Sequence, residues 1–111
     1  MLLSDLMKRI PVQLISGDLP ESFNGVYAGD LLSRAMSHVK ADNLWITIMT
    51  NTNVVAVASL TEAAAVILAE GVSLIPEAAA AAEENGICIL SSQLSVYELC
   101  RDIGAMCAET E

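Results

Sequence analysis

The chain has 111 residues, of which 54% are hydrophobic, 17% charged and 4% aromatic, which excludes a disordered chain and fits one domain with an aliphatic, alanine-rich core. Fourteen acids against five bases give a net charge of −9. That charge excludes nucleic acid or an anionic membrane as partner, because both need a basic patch.

Leu2–Ile10 sets Leu2, Leu3, Leu6, Met7 and Ile10 on one helical face, and Pro11 ends that helix. Val12–Ile15 reads as a short strand with a turn at Gly17 and Pro20, and positions 18–24 are polar and loop-like. Val26-Tyr27-Ala28 leads to Gly29-Asp30, where Asp30 is placed to cap a helix over Leu31–Val39. Asp42-Asn43 forms a turn before a strand at Leu44–Ile48, and Met49–Asn53 is a break. Val54–Ala58 is apolar throughout and reads as a second, doubly buried strand. Ser59-Leu-Thr-Glu62 fits a capping box opening a helix over Leu60–Glu70, with Gly71 as its stop. Val72–Ile75 reads as a short strand, and Pro76 suits the first position of an alanine-rich helix ending at Asn85-Gly86. Ile87–Leu90 is a further strand. Ser95-Val-Tyr-Glu98 is a second capping box, opening a helix to about Ile103 with Gly104 as stop. Residues 1–107 form the single domain and 108–111 an acidic tail.

The strand–helix rhythm over 54–70, 72–85 and 87–103 predicts an α/β fold: three layers, α/β/α, around a mixed, partly parallel sheet of four to six strands with right-handed crossovers. Trp45, Ile46, Ile48, Val55, Val57, Ile67, Ile87 and Ile89 are the expected core.

The charge is uneven. Asp5, Asp18, Glu21 and Asp30 balance Lys8, Arg9, Arg34 and Lys40 in residues 1–40, so residues 41–111, whose one base is Arg101, carry the whole −9. Cys88, Cys100 and Cys107 lack the paired spacing of a metal site and read as reduced thiols of a cytoplasmic protein. Lys8-Arg9 follow the first apolar stretch instead of preceding it, unlike a signal peptide, and the longest wholly apolar run, Ala63–Ala69, is far short of a membrane span.

His38 stands alone, and no nucleophile elbow, P-loop or dinucleotide fingerprint occurs. The acids fall at helix ends and exposed positions, where they cap and solvate. The expectation is a non-enzyme with no cofactor and no metal. Binding has more support. In α/β sheets ligands sit beyond the carboxyl ends of the strands, and there the sequence places Thr50, Asn51 and Asn53 after one strand and Ser91 and Gln93 after another. Asp30 and Ser33 lie at a nearby helix start. Hydroxyls, amides and a carboxylate of this kind can hydrogen-bond a nucleotide-like ligand, although no Lys or Arg stands in these loops to meet phosphate.

Gly25-Val-Tyr-Ala-Gly-Asp-Leu-Leu-Ser33, Trp45-Ile-Thr-Ile48, Asn53-Val-Val-Ala-Val-Ala-Ser-Leu60, Ala79–Leu90 and Tyr97-Glu98-Leu99 together resemble the DRTGG domain family, over roughly Val12–Ala105. The likeness is greatest to stand-alone members of this length; others are middle domains of phosphate acetyltransferases or accompany CBS domains. The resemblance implies a fold similar to the HPr kinase N-terminal domain. It also implies a regulatory or protein-interaction role as a homodimer, with a link to hydrogenase or redox metabolism in an anaerobic bacterium. The family's Asp-Arg would fall near Thr50–Val54, which reads Thr-Asn-Thr-Asn-Val, and its Thr-Gly-Gly near Ala69–Gly71, which reads Ala-Glu-Gly. Only the final glycine of the motif is kept.

Overall fold

Two runs with every residue buried, Leu44–Thr47 (β3) and Ala65–Leu68 (β4), lie at the middle of the sheet in a computed structural model that describes residues 1–109. Around them stand α1 (Leu3–Arg9), β1 (Gln13–Ser16), β2 (Val26–Ala28), α2 (Leu32–His38), α3 (Thr52–Thr61), α4 (Pro76–Glu84), β5 (Ile89–Ser91) and α5 (Val96–Glu109). The five strands form one mixed sheet in the order β1-β5-β4-β3-β2. β2 to β5 are parallel and β1 runs antiparallel to β5. The α/β class and the mixed sheet are therefore as expected.

Strand alternation sorts the core into two clusters. Leu44, Ile46, Ala65, Ile67 and Leu90 face α1 and α5, meeting Leu3, Leu6, Leu99, Ile103 and Met106. Trp45, Val66, Leu68 and Ile89 face the other way, onto Ala35, Val54, Val55, Val57, Ala58, Ala78 and Ala82 of α2, α3 and α4. The three successive crossovers all pack on one face. A run of equal-handed crossovers stepping in one direction across a sheet gives that arrangement. Alanines at the contact let these short helices lie close.

Several boundaries differ from the sequence expectation. Val54–Ala58 lies in α3 and is not a strand. Its buried positions are Val54, Val55, Val57 and Ala58, the i, i+1, i+3, i+4 spacing of a helix face. The expected helix over Leu60–Glu70 is instead the end of α3 followed by β4. Ser59 sits inside α3, and Glu62 ends it in a left-handed conformation at φ 59°, so that capping box does not form. Val72–Ile75 is loop, whereas Val26–Ala28, not read as a strand, is β2. Ile48 lies past the end of β3 and is 39% exposed, and Ile87 is half-buried; neither is core as expected.

The second capping box is real: Ser95 N–H donates to the Glu98 carboxylate and Glu98 N–H to Ser95 Oγ, and the Ser95 N–H, with the Ser95 hydroxyl, holds the Glu98 carboxyl below its usual range. α5 does not stop at Gly104. It runs on to Glu109 because Met106 is buried beside Ile103, and Arg9 of α1 pairs with Glu109 at 2.7 Å. Ala108 and Glu109, the start of the expected tail, are thus helical; Thr110 and Glu111 lie outside the described residues. Among the described residues no helix is long and apolar enough to cross a membrane.

Candidate functional site

β4 leads into α4 on one face of the sheet, and β5 leads into α5 on the other. The loops after two adjacent parallel strands therefore part to opposite sides. This is the switch point at which α/β sheets open a ligand crevice. Here the chain closes it. Glu70 N–H donates to Leu94 O and Gly71 N–H to Ser92 O, both at 2.8 Å. Glu70 and Gly71 both take left-handed backbone, at φ 60° and 71°, which aims their N–H groups across the gap. Gln93 lies against Gly71: a Cβ added there would stand 2.6 Å from Gln93 Oε1. Gly71, expected as a helix stop, serves instead as the close-approach point between the two loops.

Small hollows lie beside the closed crevice, and Ser91 lines two of them. On the α4 face one of about 110 Å³ is bounded by Ile15, Leu68, Val72, Leu74 and Ala79. At the strand ends one of about 250 Å³ lies between Pro11-Val12-Gln13 and Ser91-Ser92-Gln93. Ser92 is buried, its hydroxyl donating to Pro11 O at 2.8 Å and accepting from Leu94 N–H. The sequence reading did not name Pro11, Val12 or Gln13 here, since only the antiparallel pairing of β1 with β5 brings them to the site.

The other expected site residues form a separate group at the end of β3. Asp30 does not cap α2, which begins after Leu31 without a side-chain cap. Its Oδ1 accepts from the buried Thr47 hydroxyl at 2.8 Å and from Ile48 N–H at 3.1 Å, so it fastens the end of β2 to the end of β3. Asn51 Oδ1 accepts from Asn53 N–H and caps α3, and Thr50 O accepts from Ile75 N–H at 2.9 Å. Ser33 is exposed on α2, with its carbonyl taking the Ser37 hydroxyl. The two groups are one intervening strand apart, roughly 10 Å from β3 to β5. The structure joins Ser91 to Gln93 and Asp30 to the β3 end, but it does not gather all seven residues at one point.

Among the described residues no group of three or more His, Cys, Asp or Glu is placed to hold a metal ion. Every buried side-chain nitrogen or oxygen among them has a hydrogen-bond partner. Cys88 and Cys100 are free thiols. Burial and nearby Asp18 push the Cys88 thiol up to about 11. Because the thiolate is the nucleophile, Cys88 is expected to resist iodoacetamide at pH 8 in the folded protein and to react on unfolding, read by mass spectrometry. Labelling of the native chain at Cys88 would show that the segment entering β5 opens.

No protein-family profile matches the sequence, and no curated protein matches it. The fold is similar to a solved structure of the CBS and DRTGG domains in the regulatory region of Clostridium perfringens pyrophosphatase, complexed with its activator, diadenosine tetraphosphate. The TM-score is 0.72 at 12% identity over 92% of this chain, which spans 45% of that chain's length, so the likeness establishes a DRTGG-like fold.

Proposed function

We propose that the chain is a non-catalytic regulatory or protein-interaction domain that works as a homodimer in the cytoplasm. One observation carries this reading. The crevice where such a sheet would take a ligand is fastened by the chain's own main-chain bonds, Glu70 to Leu94 and Gly71 to Ser92. The two hollows beside it, of about 110 and 250 Å³, are each smaller than the ~300–1,000 Å³ usual for small-molecule sites. The structural neighbour, a regulatory region, supports a regulatory role, and the resemblance to stand-alone DRTGG proteins supports a place near hydrogenase or redox metabolism.

A nucleotide-like sensor is the second reading, favoured by the activator in the neighbour's structure and by the hollow between Gln13 and Gln93. Thermal denaturation against nucleotides and acyl-CoA compounds separates the two. A ligand at ~100 times its Kd adds ~2.7 kcal/mol, on the order of ten degrees in Tm for a domain of this size. The expected result is no shift. A shift that Ser91→Ala or Asn53→Ala abolishes, with the unliganded Tm kept, would establish the sensor reading in its place.

A further inference from the structure

The β1 edge is uncharged and aliphatic. Residues 10–17 contain no ionisable side chain, in a chain of net charge −9. Among the described residues β1 has β5 on one side and no strand on the other. Edges are usually guarded by charge; this one instead exposes aliphatic side chains. Leu14 pairs with Leu90, shares its face with α1 and α5, and is 40% exposed. Val12 packs half-buried on the same face. Ile15, the extra residue where the register with β5 slips, borders the hollow on the α4 face and is 48% exposed. The opposite edge, β2, is three residues long, and its Tyr27 stacks on His38 at 5.8 Å.

We propose that β1 is a self-pairing edge, along which two copies of this chain join antiparallel over Val12–Leu14 into one continuous sheet. The inference rests on the homodimer reading and adds its surface. A strand edge with no strand neighbour fits another strand, and the chemistry here selects a second copy; Val12 N–H already donates to Ile10 O at 2.8 Å, so the seam rests on the remaining main-chain groups and the side chains. Pro11 on one side and the irregularity at Ile15 on the other confine the pairing to three residues centred on Gln13. About that centre Val12 of each copy faces Leu14 of the other, and these two apolar pairs cover the exposed Leu14 side chains. Gln13 meets Gln13, whose amide both donates and accepts. The contact also brings together the uncharged segments of two chains whose acids lie mostly in residues 41–111. Because the same patch serves both copies, the assembly closes at two.

Sedimentation and disulfide mapping test this together. In a Cys100→Ser/Cys107→Ser background, the chain is expected to sediment as a dimer at micromolar concentration. On mild oxidation Gln13→Cys should cross-link to its copy at least tenfold faster than Leu14→Cys, whose cross-strand partner is Val12. Leu14→Lys should give a monomer with unchanged circular dichroism. A monomeric parent would overturn the homodimer reading and this inference with it. A dimer that cross-links no faster at Gln13 than at exposed Leu60→Cys, or that survives Leu14→Lys, leaves the homodimer standing and overturns the β1 seam alone.

Discussion

Gly17→Ala is expected to cost about 2–5 kcal/mol, read as a fall in the urea midpoint at unchanged slope. Gly17 sits at φ 73°, and a Cβ there would stand 2.5 Å from the carbonyl oxygen of Ile87, a backbone atom that cannot swing aside. The left-handed backbone contributes ~1–2 kcal/mol and the overpacking a further ~1–3 kcal/mol. The glycine is where the chain leaves β1 at close quarters with β5, beside the Ser16 hydroxyl's bond to the same Ile87 carbonyl at 2.8 Å. A loss under one kcal/mol would show that the turn can shift away from Ile87.

Trp45→Ala is expected to cost ~3–5 kcal/mol by the same measurement, the range for removing a large aromatic from a filled core. Trp45 is fully buried on β3 between α2, α3 and the sheet, and its indole N–H donates to Gly29 O at 3.0 Å. That bond ties the end of β2 to its neighbour, so the substitution should also loosen Asp30 and the β3 end. Trp45→Phe separates the two contributions: it keeps most of the volume and leaves the Gly29 carbonyl without its donor, at ~1–3 kcal/mol. If Trp45→Phe costs as much as Trp45→Ala, the hydrogen bond outweighs the packing.

The elements that were legible in the sequence are those with chemical punctuation. Pro11 ends α1, Pro76 opens α4, and Ser95 with Glu98 opens α5, each by a local mechanism that needs no tertiary context. Between Thr52 and Ala69 the one such signal, Ser59 with Glu62, falls inside and at the end of α3 and misleads. The run holds valines and alanines with no glycine or proline, and short apolar runs of this kind fit a buried strand or a buried helix equally well. Tertiary packing decides it. Ala65–Leu68 has neighbours to pair with on both sides, β3 and β5, while Val54–Ala58 has a sheet face to cover. A one-element slip there moved every boundary up to Ile75 while keeping the fold class, because the alternation of strand and helix survived the shift.

The site was legible only as a location. Strand-end reasoning found Ser91 and Gln93, but hydrogen bonds between loops are main-chain events that side-chain identity does not announce. Asp30 is instructive: one residue before a helix it has the chemistry of a cap, yet Thr47, distant in sequence and adjacent in the sheet, takes its carboxylate. Gly71 carried the missing signal, since two successive left-handed residues after a strand mark a tight turn that another loop can approach.

The layer made by α1 and α5 has a consequence for how the molecule is made on the ribosome. The face of β3, β4 and β5 that carries Ile46, Ile67 and Leu90 is covered by the two helices at either end of the described chain. As translation proceeds, the opposite face can be roofed step by step as each crossover helix emerges. This one keeps half its cover missing until α5, the last of the described elements, leaves the exit tunnel. Nascent chains halted before Val96 should therefore recruit holdase chaperones to an open aliphatic surface, and release should coincide with the arrival of Leu99, Ile103 and Met106.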